Sequence, residues 1–279
     1  MTSNIINYQS INSNQIFLHS DNADIYYNGT LKSSVEFFLK EPIKIDKNTI
    51  ECKVSVVNAQ IPVSFCIINS NNNNINITIN SVTTSYYFPT GNYNVQQFIT
   101  QWGITVGSNW TLTFNQVSNI LTFSYISNFT FSDANPNVSI LNHIGFSYGC
   151  QYNSIGNSLT APFPVNLGLI PRLHIKSDTF AYKNIDSFTK GRTRTLCVIP
   201  VNSQPNGMII YNNFTSFKTI MSHRSVSSIR IDITDDFRNL IDFRNIDWSL
   251  TIQIDIVNDI YSDLNDLEDV YKNQIESLF

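Results

Sequence analysis

The chain has 279 residues and a formal net charge of −4. Only 14% of its residues are charged, against about 25% in an average soluble protein. That length buries a core without difficulty, and the absence of any Lys or Arg before Lys32, with no strong basic cluster after it, argues against bulk nucleic-acid binding or a polybasic membrane patch.

Residues 1–31 are rich in Asn, Ser and Tyr, with short apolar pairs such as Ile5-Ile6 and Ile16-Phe17, and read as an extended arm that orders against something larger. Ser34 to Leu39 and Pro42 to Ile45 read as short strands. From Thr49 to Gln60 the pattern alternates, with Ile50, Cys52, Val54 and Val56 on one face, and Pro62 stops or borders the ladder. Asn69 to Asn74 is a low-complexity loop leading into the alternating segment Ile75 to Ile79.

A different grammar follows. Pro89 to Asn92 is a turn, and Asn94 is a helix N-cap with Gln97 at the capping-box position. Val95, Phe98, Ile99 and Trp102 fall on one helical face. Trp110–Phe114 and Ile120–Tyr125 form a hairpin, and Ser139 to Phe146 is a short helical piece ending near Gly145. Residues 81–150 are therefore expected to be a module inserted between 32–80 and 151–257, which form the main β domain.

Strands resume at Leu173–Ile175, Thr195–Pro200 and Gly207–Asn212. The clearest signal comes last. Ile229, Ile231 and Ile233 alternate with Arg230, Asp232 and Thr234, and Trp248, Leu250, Ile252, Ile254 and Ile256 alternate with polar residues. Two such strands with no helix between them predict antiparallel sheets, so the fold class is all-β. From Asn258 the pattern turns helical. Ile260, Leu264, Leu267, Tyr271, Ile275 and Leu278 make an apolar stripe among acids, read either as packing on its own domain or, through Ile260, Leu264, Leu267 and Tyr271, as an inter-subunit contact.

Chemistry is sparse. The sequence has no G-x-S-x-G, no H-E-x-x-H, no phosphate-binding glycine loop, no CxxC pair and no long apolar membrane segment. His143, beside Leu141 and Ile144, reads as a hydrogen-bonded structural histidine. Lys190 to Arg194 reads as a solvated loop, and the acids from Asp263 to Asp269 lack the ligand and glycine positions of a calcium loop. No catalytic residue, cofactor or metal is expected. The chain also holds 37 Asn and 38 Ile. A/T-rich codons favour both, and burial against other copies favours low charge; composition does not separate the two.

Several blocks then align with a known family. They are Pro42-Ile43-x-Ile45, Thr49-Ile50-Glu51, Ser55-Val56-x-x-Ala59-x-Ile61-Pro62-x-Ser64-Phe65 and Ile68-Asn69, followed by Pro89-x-Gly91-Asn92-Tyr93 and Leu141-x-x-Ile144-Gly145-Phe146, and finally Ile229 to Asp232, Asp235 and Asp247-Trp248. Their order, over roughly residues 35–257, resembles the minor capsid, or penton, proteins of virophages, Polinton-like viruses and related large DNA viruses of eukaryotes. The resemblance implies a single jelly roll assembled five at a time at icosahedral vertices, in contact with neighbouring major capsid proteins. It also implies a virion location after assembly inside the infected cell. The inserted module is a candidate outward-facing part that meets a host surface. Two other readings are a cement protein away from the vertex and a lectin-like or fibre-like sandwich using Tyr86, Tyr87, Tyr93 or Trp102.

Overall fold

In the computed structural model the residues described are 9–45, 49–133, 139–168, 170–180, 184–186, 190–221 and 225–259. Two compact units appear, one made of residues 1–65 and 171–279 and the other of residues 66–170.

The first unit carries eight principal strands among its described residues: β1 (Gln9–His19), β2 (Ser34–Lys44), β3 (Thr49–Pro62), β4 (Arg172–Lys176), β5 (Thr195–Pro200), β6 (Met208–Asn212), β7 (Ser225–Thr234) and β8 (Ser249–Asp259). One sheet runs β1-β8-β3-β6 and the other β5-β4-β7-β2, with every pairing antiparallel. This is the strand order of a single jelly roll. The apolar rows read from the sequence line its interior. Ile229, Ile231 and Ile233 of β7 are fully buried, as are Ile252 and Ile254 of β8, with Val54, Val56 and Ile61 of β3 beside them.

The two strands with the clearest alternation do not pair with one another. Alternation fixes which face is wet but not the neighbour, and β7 lies in the second sheet while β8 lies in the first. The expected arm also differs. Residues 9–19 form β1, which pairs with β8 along its whole length, from Gln9 opposite Asp259 to His19 opposite Ser249. Asn258 and Asp259, expected to begin the helix, complete β8. Ser34–Leu39 and most of Pro42–Ile45 merge into the single strand β2, and Pro42 falls where the register with β7 shifts between Phe38 and Ile43 and beyond the strand Ile25–Tyr26 that pairs with Val35 and Glu36, so its missing N–H breaks no ladder.

In β3 the alternation changes phase. Ile252 of β8 pairs with Val56, but Thr251 pairs with Asn58, leaving Val57 as an extra residue. Val54 and Val56 point inward before this bulge, Ala59 and Ile61 after it.

The second unit includes more chain than 81–150, because Asn74–Ile79 pairs with both Val82–Tyr87 and Phe129–Ser132, and Tyr152–Asn153 and Ser158–Thr160 each add a strand. Its helix α1 (Val95–Thr105) starts at the expected capping box: Gln97 N donates to Asn94 Oδ1 at 2.8 Å and Asn94 N donates to Gln97 Oε1 at 2.9 Å. Phe98 and Trp102 face the core, where Trp102 meets Phe123 at 4.9 Å and Phe88 at 5.6 Å between ring centroids. The asparagine loop is structured by its side chains. Asn72 Oδ1 accepts from Asn69 N at 2.8 Å, Asn72 Nδ2 donates to Ile67 O at 2.7 Å, and Asn73 Nδ2 donates to Phe88 O at 2.8 Å. Asparagine thus replaces backbone partners that a loop lacks.

A latch holds the entry to the sandwich. Between β1 and β2, Lys32 is buried with φ 56°, and its Nζ lies 2.6 Å from Asp247 and 3.5 Å from Asp21. Trp248 Nε1 donates to the Lys32 carbonyl at 2.7 Å. Ser20 Oγ donates to Asp247 at 2.7 Å and accepts from Trp248 N at 3.0 Å, and the Trp248 ring meets Phe37 of β2 edge-on at 6.4 Å. The hydrogen bond to Asp247 holds the Lys32 ammonium above its usual pKa despite burial. Burial pushes the Asp247 carboxyl up, but the bonds from Lys32 and Ser20 outweigh it and leave the carboxyl below its usual range.

Removing one partner strands the other charge. Lys32→Met is expected to cost about 2–4 kcal/mol, less than a fully buried pair because Asp247 is partly wet. Urea unfolding of the variant checks this. Gly145, in the left-handed region at φ 91°, ends the Ile140–Ile144 turn, and a Cβ there would stand 2.2 Å from the Phe163 carbonyl oxygen. Gly145→Ala is expected to cost about 2–3 kcal/mol in the second unit, read from the fluorescence of Trp102 and Trp110 during unfolding.

Candidate assembly surfaces

The outer face of the first sheet is where apolar side chains meet water. Along β1, Ile11 and Phe17 are 67% and 76% exposed on the row that also holds Ser13 and Gln15. β1 is an edge strand of 11 residues, QSINSNQIFLH, without Lys, Arg, Asp, Glu or Pro. Natural proteins usually blunt such an edge with charge, proline or a bulge; this one has none of these.

Behind that row sits a buried carboxylate. Asp255 of β8 is 3% exposed and is held by Lys218 Nζ at 2.6 Å, Ser13 Oγ at 2.5 Å and Gln253 Nε2 at 2.8 Å. Burial pushes its pKa up, yet these bonds together leave it below the usual carboxylate range. The contact ties β1, β8 and the loop after β6 into one layer.

At the opposite edge, β6 presents Met208 and Ile210, and the short strand Thr219–Ile220 pairs with β3 at Lys53 and Val54. The loop between them is ordered by one side chain. Asn213 Oδ1 accepts from Thr215 Oγ1 and Phe217 N, and Asn213 Nδ2 donates to Phe217 O at 2.9 Å. The loop thereby displays Phe214 at 90% exposure and Phe217 at 49%. Asn213-Phe214-Thr215 has the form of a glycosylation sequon, one of six in the chain. The usable signal for a displayed knob was the two phenylalanines in an otherwise polar loop.

The outer face of the second sheet is mostly polar, with Phe38 and Val198 as its exposed apolar side chains. Arg230 lies over the Tyr27 ring at 4.1 Å, Tyr27 donates its hydroxyl proton to Glu36, and His174 Nε2 lies 2.8 Å from Asp236, which also pairs with Arg172. The hydrogen bond to Glu36 raises the Tyr27 pKa, and the bonds from Ser228 and Tyr27 lower that of Glu36. A shallow cavity of about 380 Å³ opens here between Tyr27, Glu36, Asp178, Thr179 and Arg230. Its ionised groups already have partners: Arg230 reaches Asp232, Asp178 pairs with Arg194, and Glu36 accepts from Tyr27.

The sequence candidates fall as follows. Ile260, Leu264, Leu267 and Tyr271 lie outside the described residues. Lys190 to Arg194, expected as a solvated loop, instead contains the strand Gly191–Thr193, which forms a hairpin with Asn184–Asp186, and Arg194 pairs with Asp178 at 2.7 Å. Cys52, Cys66, Cys150 and Cys197, all among the described residues, are thiols rather than halves of a disulfide. Burial pushes the Cys52 thiol up to about 11 and that of Cys197 up to about 12, so neither supplies a thiolate at neutral pH. Among the described residues no group of three or more His, Cys, Asp and Glu could hold a metal ion, and no helix is long and apolar enough to cross a membrane. Of the aromatics considered for sugar binding, Trp102 is fully buried, Tyr86 packs against the core, and the Tyr93 hydroxyl donates to Pro89 O at 2.6 Å. Tyr87 alone of the four is well exposed, at 62%.

The chain is similar in structure to two solved virophage proteins. The mavirus penton protein matches with a TM-score of 0.48 and 12% identity, over 88% of this chain and 99% of that one. A chain in a cryo-EM structure of the Sputnik virophage matches with a TM-score of 0.43 and 12% identity, over 90% of this chain and 99% of that one. No family model matches the sequence, and none of the curated proteins does.

His143 is hydrogen-bonded in the way its context predicts. Its Nδ1 meets Asn166 O at 3.1 Å and its Nε2 meets Asn72 Nδ2 at 2.9 Å, an arrangement that fits a neutral ring donating through Nδ1. Burial lowers its pKa, partly offset by the bond to Asn166. The unfolded chain, with a histidine pKa of about 6.5, therefore takes up the proton first. Stability of the second unit is complete above about pH 6.5 and declines as pH falls through the lowered folded value. Thermal unfolding followed by tryptophan fluorescence between pH 7 and 5 is expected to show a falling midpoint, and His143→Gln is expected to flatten most of that slope.

Proposed function

We propose that this protein is a structural subunit of a viral capsid, without catalysis, and that five copies form the penton at an icosahedral vertex. One observation carries the reading: the blocks that resemble penton proteins coincide with features that hold the jelly roll and the second unit each together. Asp247-Trp248 is the latch, Ser55 to Phe65 spans β3 and its bulge, and Leu141 to Phe146 closes the core of the second unit through Gly145. Blocks in such roles point to a shared scaffold rather than a shared surface.

The unprotected edge of β1 supports assembly. In a five-fold ring each copy offers two different patches, a heterologous contact closed by rotation. A strand edge with neither charge nor proline suits one of them. In this reading the subunit sits in the virion beside major capsid proteins after assembly in the host cell, and the second unit is the part available for contact with a host surface. The cement-protein alternative shares the scaffold but not the five-fold ring.

Light scattering of the purified chain over a concentration series is expected to show a five-subunit mass, with rings by electron microscopy. The double substitution N12K/N14K, at two exposed positions of β1, is expected to reduce that species at least about tenfold while the β signal in circular dichroism persists. A mass of one chain up to millimolar concentration overturns the vertex reading.

A further inference from the structure

The β6 edge of the first sheet combines exposed apolar groups with a basic rim. Ile210, Phe214, Phe217 and Ile220 are 65%, 90%, 49% and 37% exposed. Asn184 bonds to the Thr195 carbonyl at 2.7 Å and accepts from Thr219 Oγ1 at 3.5 Å, which brings the hairpin beside Ile220. Asn184 and Thr193 are cross-strand partners on its inner side, so Ile185 and Arg192, partners in the next pair, project outward. Arg192 and Lys190 are exposed. Among the described side chains, Lys190 and Arg192 are the charges this part of the hairpin exposes, and the sheet's Glu51 and Asp255 are already paired with Lys53 and Lys218.

One segment of this chain has the opposite character. Residues 260–279 carry the apolar stripe described above, with Asp263, Asp266, Glu268, Asp269 and Glu276 against the single cation Lys272. The segment also starts close by. β8 ends beside Thr49 of β3, and Thr219–Ile220 pairs with the far side of β3 at Lys53 and Val54. Two strand spacings are about 10 Å, and four residues along β3 add about 13 Å. Twenty residues of helix span about 30 Å. A tethered segment that can reach a site competes there at an effective concentration near the millimolar range, so its own copy is favoured over a neighbour.

We propose that residues 260–279 seat on this face of their own chain as an acidic amphipathic helix, turning Ile260, Leu264, Leu267 and Tyr271 toward Ile210, Phe214, Phe217 and Ile220 with the carboxylates toward Lys190 and Arg192. The helix covers the displayed phenylalanines and closes the edge of the sheet opposite β1. Salt weakens the seat, because part of the attraction is between exposed charges.

The test uses the full chain with a photo-reactive benzoylphenylalanine at position 264, irradiated as an equal mixture of unlabelled and ¹⁵N-labelled copies. The expected result is a crosslink to residues 206–221 within chains of one isotope only, and K190E/R192E lowers its yield at least about fivefold. F214S/F217S, which alters only exposed side chains, does the same. Mixed-isotope crosslinks assign the seat to a second copy and overturn the intramolecular proposal. Crosslinks elsewhere on the chain, or a yield unaffected by both double variants, overturn it as well. Truncation after Asp259 supplies an independent reading: amide exchange in 208–220 is expected to accelerate at least about tenfold, and unchanged exchange counts against the proposal. Neither outcome depends on whether five copies assemble.

Discussion

The contact between Lys32 and the Asp247-Trp248 pair is the constraint on which the sandwich depends. A jelly roll brings its first and last strands together in one sheet while the second strand crosses to the other. The crossing happens within the segment 20–33, and the chain re-enters the first sheet at residue 248. An ammonium held by two carboxylates, an indole N–H on the carbonyl of the same lysine and a serine hydroxyl shared by both sides fix the two passages against each other. Low dielectric makes such a network strong when every member is satisfied and costly when one is missing. The positive φ at Lys32 shows the backbone bending to meet it.

What the sequence made legible follows from what side-chain periodicity encodes. The inward rows of β7 and β8, the capping box of α1 and the end of the Ile140–Ile144 turn at Gly145 are local patterns that stand where the pattern puts them, and so do Cys52, Val54 and Val56 of β3; Ile50, expected on the same face, is exposed because the register with β8 shifts there. Partner choice is not local. Nothing in Ile229–Ile233 and Leu250–Ile256 says that they belong to different sheets, because either pairing buries the same row. β1 was hidden for a related reason. Its Asn- and Ser-rich text resembles an unordered arm, and only pairing along the length of β8 makes it a strand.

The surfaces were harder to read than the core. A lone lysine carries no pattern, so the latch was visible only as the block Asp247-Trp248. The knob at Phe214 and Phe217 depends on Asn213 closing a loop, which short-range spacing does not announce. The asparagine bias, ambiguous as composition, has a structural use here. Asparagine side chains organise the loops at 69–73 and 213–217, and asparagine takes the left-handed backbone at positions 80, 119, 157, 206 and 245. Such loops need few charges, in keeping with a chain of which only 14% is charged.

The bulge at Val57 gives β3 two reading frames. From Cys52 to Val56 the even-numbered side chains face the interior, and from Ala59 to Ile61 the odd-numbered ones do. A one-residue deletion on either side would therefore turn half the strand inside out unless the bulge were lost at the same time. Length changes in this strand can be accepted only in compensated pairs. The loops around it carry no such parity, so drift in chain length is channelled into them, including the junction where the second unit departs. Two proteins sharing this scaffold would keep β3 at fixed length while the rest of the chain diverged in size.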